Sequence, residues 1–191
     1  MIAGHFGFAA LVKAKAPKLP LWALMLGSQW LDVMFVPLLA AGRETIAPLP
    51  GAAAGDYGQL VIHADYTHSL VGALILSALF GLAFLRSQGF RGALILGGVS
   101  MSHWILDLLM HHQDMPLLPG HGGELGFGLW RSMLGSAALE LALVVLGGLL
   151  YARAARTVAG SDPALLRRAT WCGGLAIGFG VLTLAMNLAG L

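Results

Sequence analysis

Five long apolar stretches, each near the length needed to cross a membrane, dominate the hydrophobic and polar pattern of this chain. A membrane-spanning helix needs about 20 mostly apolar residues. The pattern therefore predicts five transmembrane helices, at residues 21–41, 66–85, 92–110, 132–152 and 169–191. A shorter apolar segment precedes them and ends in lysines. It is too short to span and predicts either a re-entrant N-terminal helix or an amphipathic helix on the membrane surface.

Composition strengthens the membrane interpretation. Hydrophobic residues make up 58% of the chain and charged residues 10%, whereas soluble domains are about 25% charged. We expect an all-α, polytopic membrane helix bundle forming one domain over residues 1–191, with membrane lipids as partners. The net charge of +2 reflects basic residues beside the spans, so no nucleic-acid binding is expected. Cys172 is alone and forms no disulfide framework, and no basic segment precedes the first apolar run, so no cleavable signal peptide is expected.

The connecting segments differ in kind. Residues 42–65 are rich in Gly, Ala and Pro, which predicts an irregular loop. Residues 111–128 combine Pro and Gly with three His and two acids. Residues 153–168 carry four Arg, and Ser161 or Asp162 before Pro163 predicts a helix N-cap.

Basic residues are distributed unevenly across the predicted spans. Nine of the eleven fall on one side, namely Lys13, Lys15, Lys18, Arg86, Arg91, Arg153, Arg156, Arg167 and Arg168. Because positive residues favour the cytoplasmic side, this bias predicts the N-terminus inside and the C-terminus outside.

Ionisable residues lie inside four of the five apolar stretches. His103 and Asp107 are one helical turn apart, and His111 follows one turn later, so their side chains share a helix face. Counted at about 1.5 Å per residue from the inner side, Asp32, His68 and Glu140 reach a similar level in the outer half of the bilayer. Ionisable groups within lipid are costly and indicate a functional site. A lone His satisfied by a neighbouring helix remains the alternative for any one of them.

Imidazole and carboxylate groups suit a divalent ion such as zinc, manganese or iron, and an open position on that ion can activate water. The candidate metal ligands are His5, Asp32, His63, His68, His103, Asp107, His111 and His112. Each of Glu140, Asp65 and Asp114 is a candidate for a general base or for a further ligand.

Three strings resemble a known family: His63-Ala-Asp-Tyr-Thr-His-Ser-Leu70, Ser102-His-Trp-Ile-Leu-Asp107, and Pro116 shortly after. Together with His5 and Asp32, they resemble the inner-membrane metal-dependent hydrolases, some of which are described as LexA-binding. That family is distantly similar to zinc-dependent phospholipase C and the single-strand nucleases of the same fold. The resemblance covers roughly residues 1–120 and implies one to three zinc ions, a bacterial inner-membrane location and an enzyme. The sequence around Glu140 differs from that of the soluble enzymes. They have a His four residues before the corresponding acid, and this chain has Ser136 at that position.

We therefore expect a membrane-embedded, metal-dependent hydrolase that acts on a phosphoester, including a lipid, at the outer half of the bilayer. Two alternatives remain from the residues alone. Chains of buried His, Asp and Glu also line the paths of metal-ion or proton transporters. A non-catalytic membrane scaffold would use a structural metal with a coordinatively closed site.

Overall fold

The computed structural model describes residues 1–52, 57–121, 123 and 125–190, and this part of the chain is mostly helical. The α-helices are α1 (Ile2–Lys15), α2 (Leu21–Ser28), α3 (Trp30–Ala40), α4 (Leu70–Ala83), α5 (Leu85–Met110), α6 (Met133–Ala159) and α7 (Pro163–Leu188). A short 3-10 helix covers Leu129–Arg131, and the strands are β1 (Thr45–Pro48) and β2 (Leu60–His63).

Three helices, α5, α6 and α7, are long and apolar enough to cross a membrane. The pair α2 and α3 also qualifies when taken as one span, although its axis bends by 49° at Gln29. Helix α4 has 14 residues, about 21 Å of helix, which is short for a hydrocarbon core of about 30 Å. The prediction of a helical protein is confirmed in that the described residues are mostly helical, with three candidate membrane spans or four, and the prediction of five is not confirmed.

The outer surface of these helices is apolar. Large side chains such as Trp171, Leu175 and Phe179 on α7 are exposed to the surroundings of the protein. A soluble helix would carry polar residues on that face. The exposed apolar surface therefore supports a membrane location.

Several helix boundaries differ from the sequence prediction. Helix α4 begins at Leu70 rather than at residue 66, because the Ser69 hydroxyl accepts the Gly72 amide and caps it. Helix α5 begins at Leu85, with a kink at Gly89, where φ is 68°. The predicted loop at residues 153–168 is mostly helical, since α6 runs to Ala159 and α7 starts at Pro163. The Asp162 cap is confirmed, with its Oδ1 accepting the Ala164 amide at 2.8 Å.

A β-hairpin replaces part of the irregular loop predicted for residues 42–65. Strands β1 and β2 pair antiparallel, with Thr45 opposite His63 and Pro48 opposite Leu60. Each strand has four residues, and β1 is exposed throughout, so no apolar alternation marked it in the sequence. Residues 53–56 of the predicted loop lie outside the described residues.

The N-terminal helix α1 lies inside the bundle and not on its surface. It packs against α2, α6 and α7, and buries Ala3, Gly4, His5, Gly7, Ala9 and Ala10. The backbones of α1 and α6 approach so closely that a Cβ on Gly147 would collide with the Gly7 carbonyl. This glycine contact fixes the position of α1, and with it His5.

Candidate metal centre

A break in the first apolar segment supplies two parts of the site. Helix α2 ends at Ser28, which leaves the Ser28 carbonyl without a helical partner. Nδ1 of His103 lies 2.7 Å from that carbonyl oxygen. A carbonyl can only accept, so Nδ1 carries the proton and Nε2 faces the interior of the site. In the first turn of α3, just after the break, Asp32 lies with its Oδ1 3.5 Å from Nε2 of His103.

His68 is positioned by the segment that precedes α4. Its carbonyl accepts the Trp104 indole N–H at 2.7 Å. Its Nδ1 lies 2.9 Å from the Thr67 hydroxyl, so Nε2 is the nitrogen that faces the cluster. Thr67, His68 and Ser69 thus have three separate tasks: orienting the ring, facing the site and capping α4.

Three ligand atoms form a nearly equilateral triangle. Nε2 of His68 and Nε2 of His103 are 3.3 Å apart, and each lies 3.5 Å from Oδ1 of Asp32. A tetrahedral zinc ion with bonds of about 2.0–2.1 Å separates its ligands by about 3.3–3.4 Å. The triangle therefore has the dimensions of one face of such a coordination sphere.

Asp107 connects this triangle to His5. Its Oδ2 lies 3.0 Å from Nε2 of His103 and 3.8 Å from Nε2 of His68. Its Oδ1 lies 3.1 Å from Nε2 of His5, whose ring stacks on His103 with centroids 3.8 Å apart. Two overlapping sets could each hold an ion, His5–His103–Asp107 and Asp32–His68–His103.

The cluster is enclosed except at Asp32. The side chains of His5 and His103 are each 1% exposed, and those of His68, before α4, and Asp107, on α5, are also buried. The side chain of Asp32 is 42% exposed. Its neighbours on the outer face of α3 are the exposed Val33 and Val36. The opening of the site therefore lies on an apolar helix surface.

The ring nitrogens and carboxylate oxygens of the cluster suit a divalent cation better than they suit shared protons. Nε2 of His103 has three neighbours, Asp32, Asp107 and Nε2 of His68, and one proton on it could satisfy one of them. A cation between these atoms satisfies all of them, and neutral imidazole with carboxylate suits zinc, manganese or iron. His5 Nδ1 is also buried without a partner among the described residues. Cys172 is exposed on α7 and belongs to a different surface.

Glu140 lies beside the cluster but faces the end of α1. Its Oε2 accepts the Gly4 amide at 3.3 Å, and its Oε1 accepts the Tyr57 hydroxyl at 2.7 Å. Burial raises the pKa of Tyr57 above its usual value, so this hydroxyl keeps its proton and donates. A carboxylate at a helix N-terminus stabilises the helix. Glu140 therefore holds the residue next to His5, and its predicted role as a base stays a prediction.

The other predicted residues lie outside the two ligand sets. Asp114 accepts from Nδ1 of His111 at 3.0 Å and from the Ile62 amide at 2.9 Å. His112 bonds the Gly58 carbonyl at 3.0 Å. His63 is exposed at the end of β2, and Asp65 is half-buried, with its Oδ1 lacking a partner among the described residues. The structure thus brings together five predicted ligands: His5, Asp32, His68, His103 and Asp107.

Two residues with evident structural tasks, Glu44 and Tyr57, were missed by sequence reasoning. Glu44 is 1% exposed and accepts hydrogen bonds from the backbone and side chain of Thr67. The one signal in the sequence is that Glu44 is an isolated acid in a segment dominated by Gly, Ala and Pro.

Comparisons with protein-family models, with curated proteins and with solved structures found no match to this chain.

Proposed function

We propose that this protein is a membrane-embedded, metal-dependent hydrolase that cleaves a phosphoester. The triangle of His68, His103 and Asp32 is the single observation that carries the proposal, because its dimensions suit a tetrahedral ion. A bound divalent ion would act as a Lewis acid and would lower the pKa of a coordinated water. Two strings, Thr67-His68-Ser69 and the segment from Ser102 to Asp107, resemble those of inner-membrane metal-dependent hydrolases. This resemblance supports the same chemistry.

Zinc is the proposed ion, and one to three ions is the proposed number. His68, His103, Asp32 and Asp107 would hold the first ion. Since Oδ1 of Asp107 faces His5 while Oδ2 faces His103, this carboxylate is placed to be shared with a second. The absence of thiolate ligands in either set favours zinc, manganese or iron over copper(I).

A lipid phosphoester is the proposed substrate class. Asp32 is partly exposed on the same helix as the exposed apolar side chains of Val33 and Val36. A substrate entering there needs an apolar portion next to its phosphate, as membrane lipids have. The histidines and Asp107 of the cluster are buried. This enclosure would keep bulk water away from the reacting phosphate.

The membrane arrangement belongs to the same proposal. We infer five crossings, by α2 with α3, α4, α5, α6 and α7, with α1 re-entrant, its N-terminal end at the site and its lysines at the inner face. We infer a bacterial inner membrane, with the lysine-bearing end of α1 at the cytoplasmic face and the site toward the outer side, and the uneven distribution of basic residues supports this orientation. The burial of six α1 residues supports the re-entrant arrangement over a surface helix.

Metal analysis of the purified protein, paired with phosphoester cleavage, tests the proposal. Wild type should hold at least one zinc ion and release headgroup from long-chain phospholipid in vesicles, whereas His103→Ala and Asp107→Ala should do neither. His121→Ala is the matched control, because His121 is exposed in a loop. A wild type without bound transition metal overturns the proposal. Bound metal without cleavage of any phosphoester overturns the hydrolase assignment in favour of a scaffold or a transporter.

A further inference from the structure

Glu44 is a buried acid that the proposed chemistry does not use. It immediately precedes β1 and is 1% exposed. Its Oε1 accepts the amides of Tyr66 and Thr67, each at 2.8 Å. Its Oε2 lies 2.9 Å from the Thr67 hydroxyl, which is also 3.1 Å from Oε1. Because an unpaired buried carboxylate is costly, this donor set indicates a built position rather than an accident of packing.

The proton order along this contact follows from the chemistry of each group. An ionised carboxylate only accepts, so the single Thr67 hydroxyl proton points to Glu44. The Thr67 oxygen is then left to accept, and its other neighbour is Nδ1 of His68 at 2.9 Å. Nδ1 must therefore carry the proton, and the lone pair of His68 is on Nε2. That nitrogen is the one within 3.5 Å of Asp32 and His103.

We propose that Glu44, acting through Thr67, is a positioning residue that fixes the tautomer of His68 so that Nε2 is free to bind the metal. This inference rests on the proposed function only in that the atom it prepares is a proposed metal ligand. Partners of this kind set the orientation and basicity of metal-binding histidines, and their loss costs about 10–100-fold in metal affinity.

Replacing Glu44 with Gln should reverse the direction in which protons are donated from Thr67 and His68, while keeping the shape of the side chain. The two backbone amides need an acceptor at the Oε1 position, so the new amide nitrogen takes the Oε2 position beside Thr67. That nitrogen donates, so the Thr67 hydroxyl loses its 2.9 Å acceptor. Nδ1 of His68 at 2.9 Å is then its nearest acceptor, since the oxygen at the Oε1 position is 3.1 Å away and already accepts two amides. With the hydroxyl donating to Nδ1, Nε2 carries the proton and points it at the metal position. We expect Glu44→Gln to lower zinc affinity by about 10–100-fold.

Two further substitutions separate positioning from folding. Thr67→Val keeps the shape but removes the hydroxyl, and should lower zinc affinity to a similar extent. Thr67→Ser restores the hydroxyl and should recover most of that affinity. Arg43→Gln is the matched control for Glu44→Gln, since it puts the same side chain at the neighbouring, exposed position.

The experiment uses the full chain in detergent micelles. Zinc affinity is measured by competition with a chelator, and the tautomer of His68 is read from ¹⁵N histidine spectra of metal-free protein. The proposal expects a protonated Nδ1 in wild type and Arg43→Gln, and a protonated Nε2 in Glu44→Gln. Unchanged affinity and tautomer in a folded Glu44→Gln protein overturn it. If Glu44→Gln does not fold, equal affinities of Thr67→Val and Thr67→Ser overturn it instead.

The two proposals fail in different ways. A wild type that binds no zinc but shows His68 protonated on Nδ1 overturns the hydrolase and leaves the Glu44 inference supported. A wild type that binds zinc with His68 protonated on Nε2 in the metal-free state overturns the Glu44 inference alone.

Discussion

Two sets of buried polar groups in this protein are built on opposite rules. In the candidate metal centre, formed by His5, Asp32, His68, His103 and Asp107, the outward ring nitrogens of His68 and His103 bond Thr67 and Ser28. Their inward nitrogens face carboxylates and each other. The second set, called the outer cluster below, comprises two pairs, Tyr57 with Glu140 and His111 with Asp114, and each acid in it accepts hydrogen bonds from donors.

The contrast shows that residue type alone does not identify a metal site. Both clusters contain His and acids, and both are largely buried. The outer cluster is satisfied without an ion, because each of its carboxylates accepts a side-chain donor and a backbone amide. The candidate metal centre brings several acceptors together, and a cation among them would satisfy all of them. The difference lies in the ring nitrogens of His68 and His103. One nitrogen of each ring bonds Thr67 or Ser28, which leaves the other nitrogen to face the carboxylates.

The largest difference is expected when one histidine is removed from each cluster. His68→Ala should lower zinc affinity by more than about 100-fold, since loss of an outer partner already costs 10–100-fold. His111→Ala should retain the zinc content of wild type, because His111 faces Asp114. Metal content after dialysis measures both. Loss of zinc in His111→Ala would mean that both clusters belong to one functional site, and it would contradict the difference drawn between them.

Metal removal should destabilise the protein only when the candidate metal centre is intact. Zinc at 100 times its dissociation constant contributes about 2.7 kcal/mol to the free energy of unfolding, and a chain of this length responds by about 2–4 °C per kcal/mol. We expect chelation to lower the Tm of wild type by about 5–10 °C in a thermal melt. His68→Ala should show little shift, and a wild type indifferent to chelator would contradict a folded metal centre.

Much of the centre was predictable from local pattern. The spacing of His103 and Asp107 places both on one face of a single helix, and lipid-facing sequence makes such residues conspicuous. The break that exposes the Ser28 carbonyl had a weaker signal, the Gly27-Ser28 pair, of a kind at which helices kink.

Other parts required the folded chain. The contact of Glu44 with Thr67 joins residues 23 positions apart across a β-hairpin whose exposed strand has no apolar alternation. The separation of Glu140 from the ligand set depends on how α1 packs on α6, which neither helix encodes alone. Periodicity fixes which residues share a helix face, whereas partner choice between elements depends on tertiary packing.

The close approach of α1 and α6 links the two clusters and can be perturbed by one methyl group. Gly147→Ala places a Cβ against the Gly7 carbonyl, and overpacking of this kind costs about 1–3 kcal/mol. We expect a lower Tm and weaker zinc binding, because α1 carries His5. Gly174→Ala is the matched control, since nothing lies near its added methyl group. Equal zinc affinity in a destabilised Gly147→Ala protein would remove His5 from the ligand set.

The smallest effect is expected in the outer cluster alone. Tyr57→Phe removes the hydroxyl that donates to Glu140, and a hydrogen bond at a half-buried position contributes about 1 kcal/mol. The Gly4 amide still holds the other oxygen of Glu140, so His5 should stay in place. Chemical unfolding should therefore show a small loss of stability, while zinc affinity matches that of wild type. A tenfold loss of zinc affinity would mean that the outer cluster tunes the metal centre, because the hydroxyl of Tyr57 contacts no ligand and could act only through Glu140 and α1.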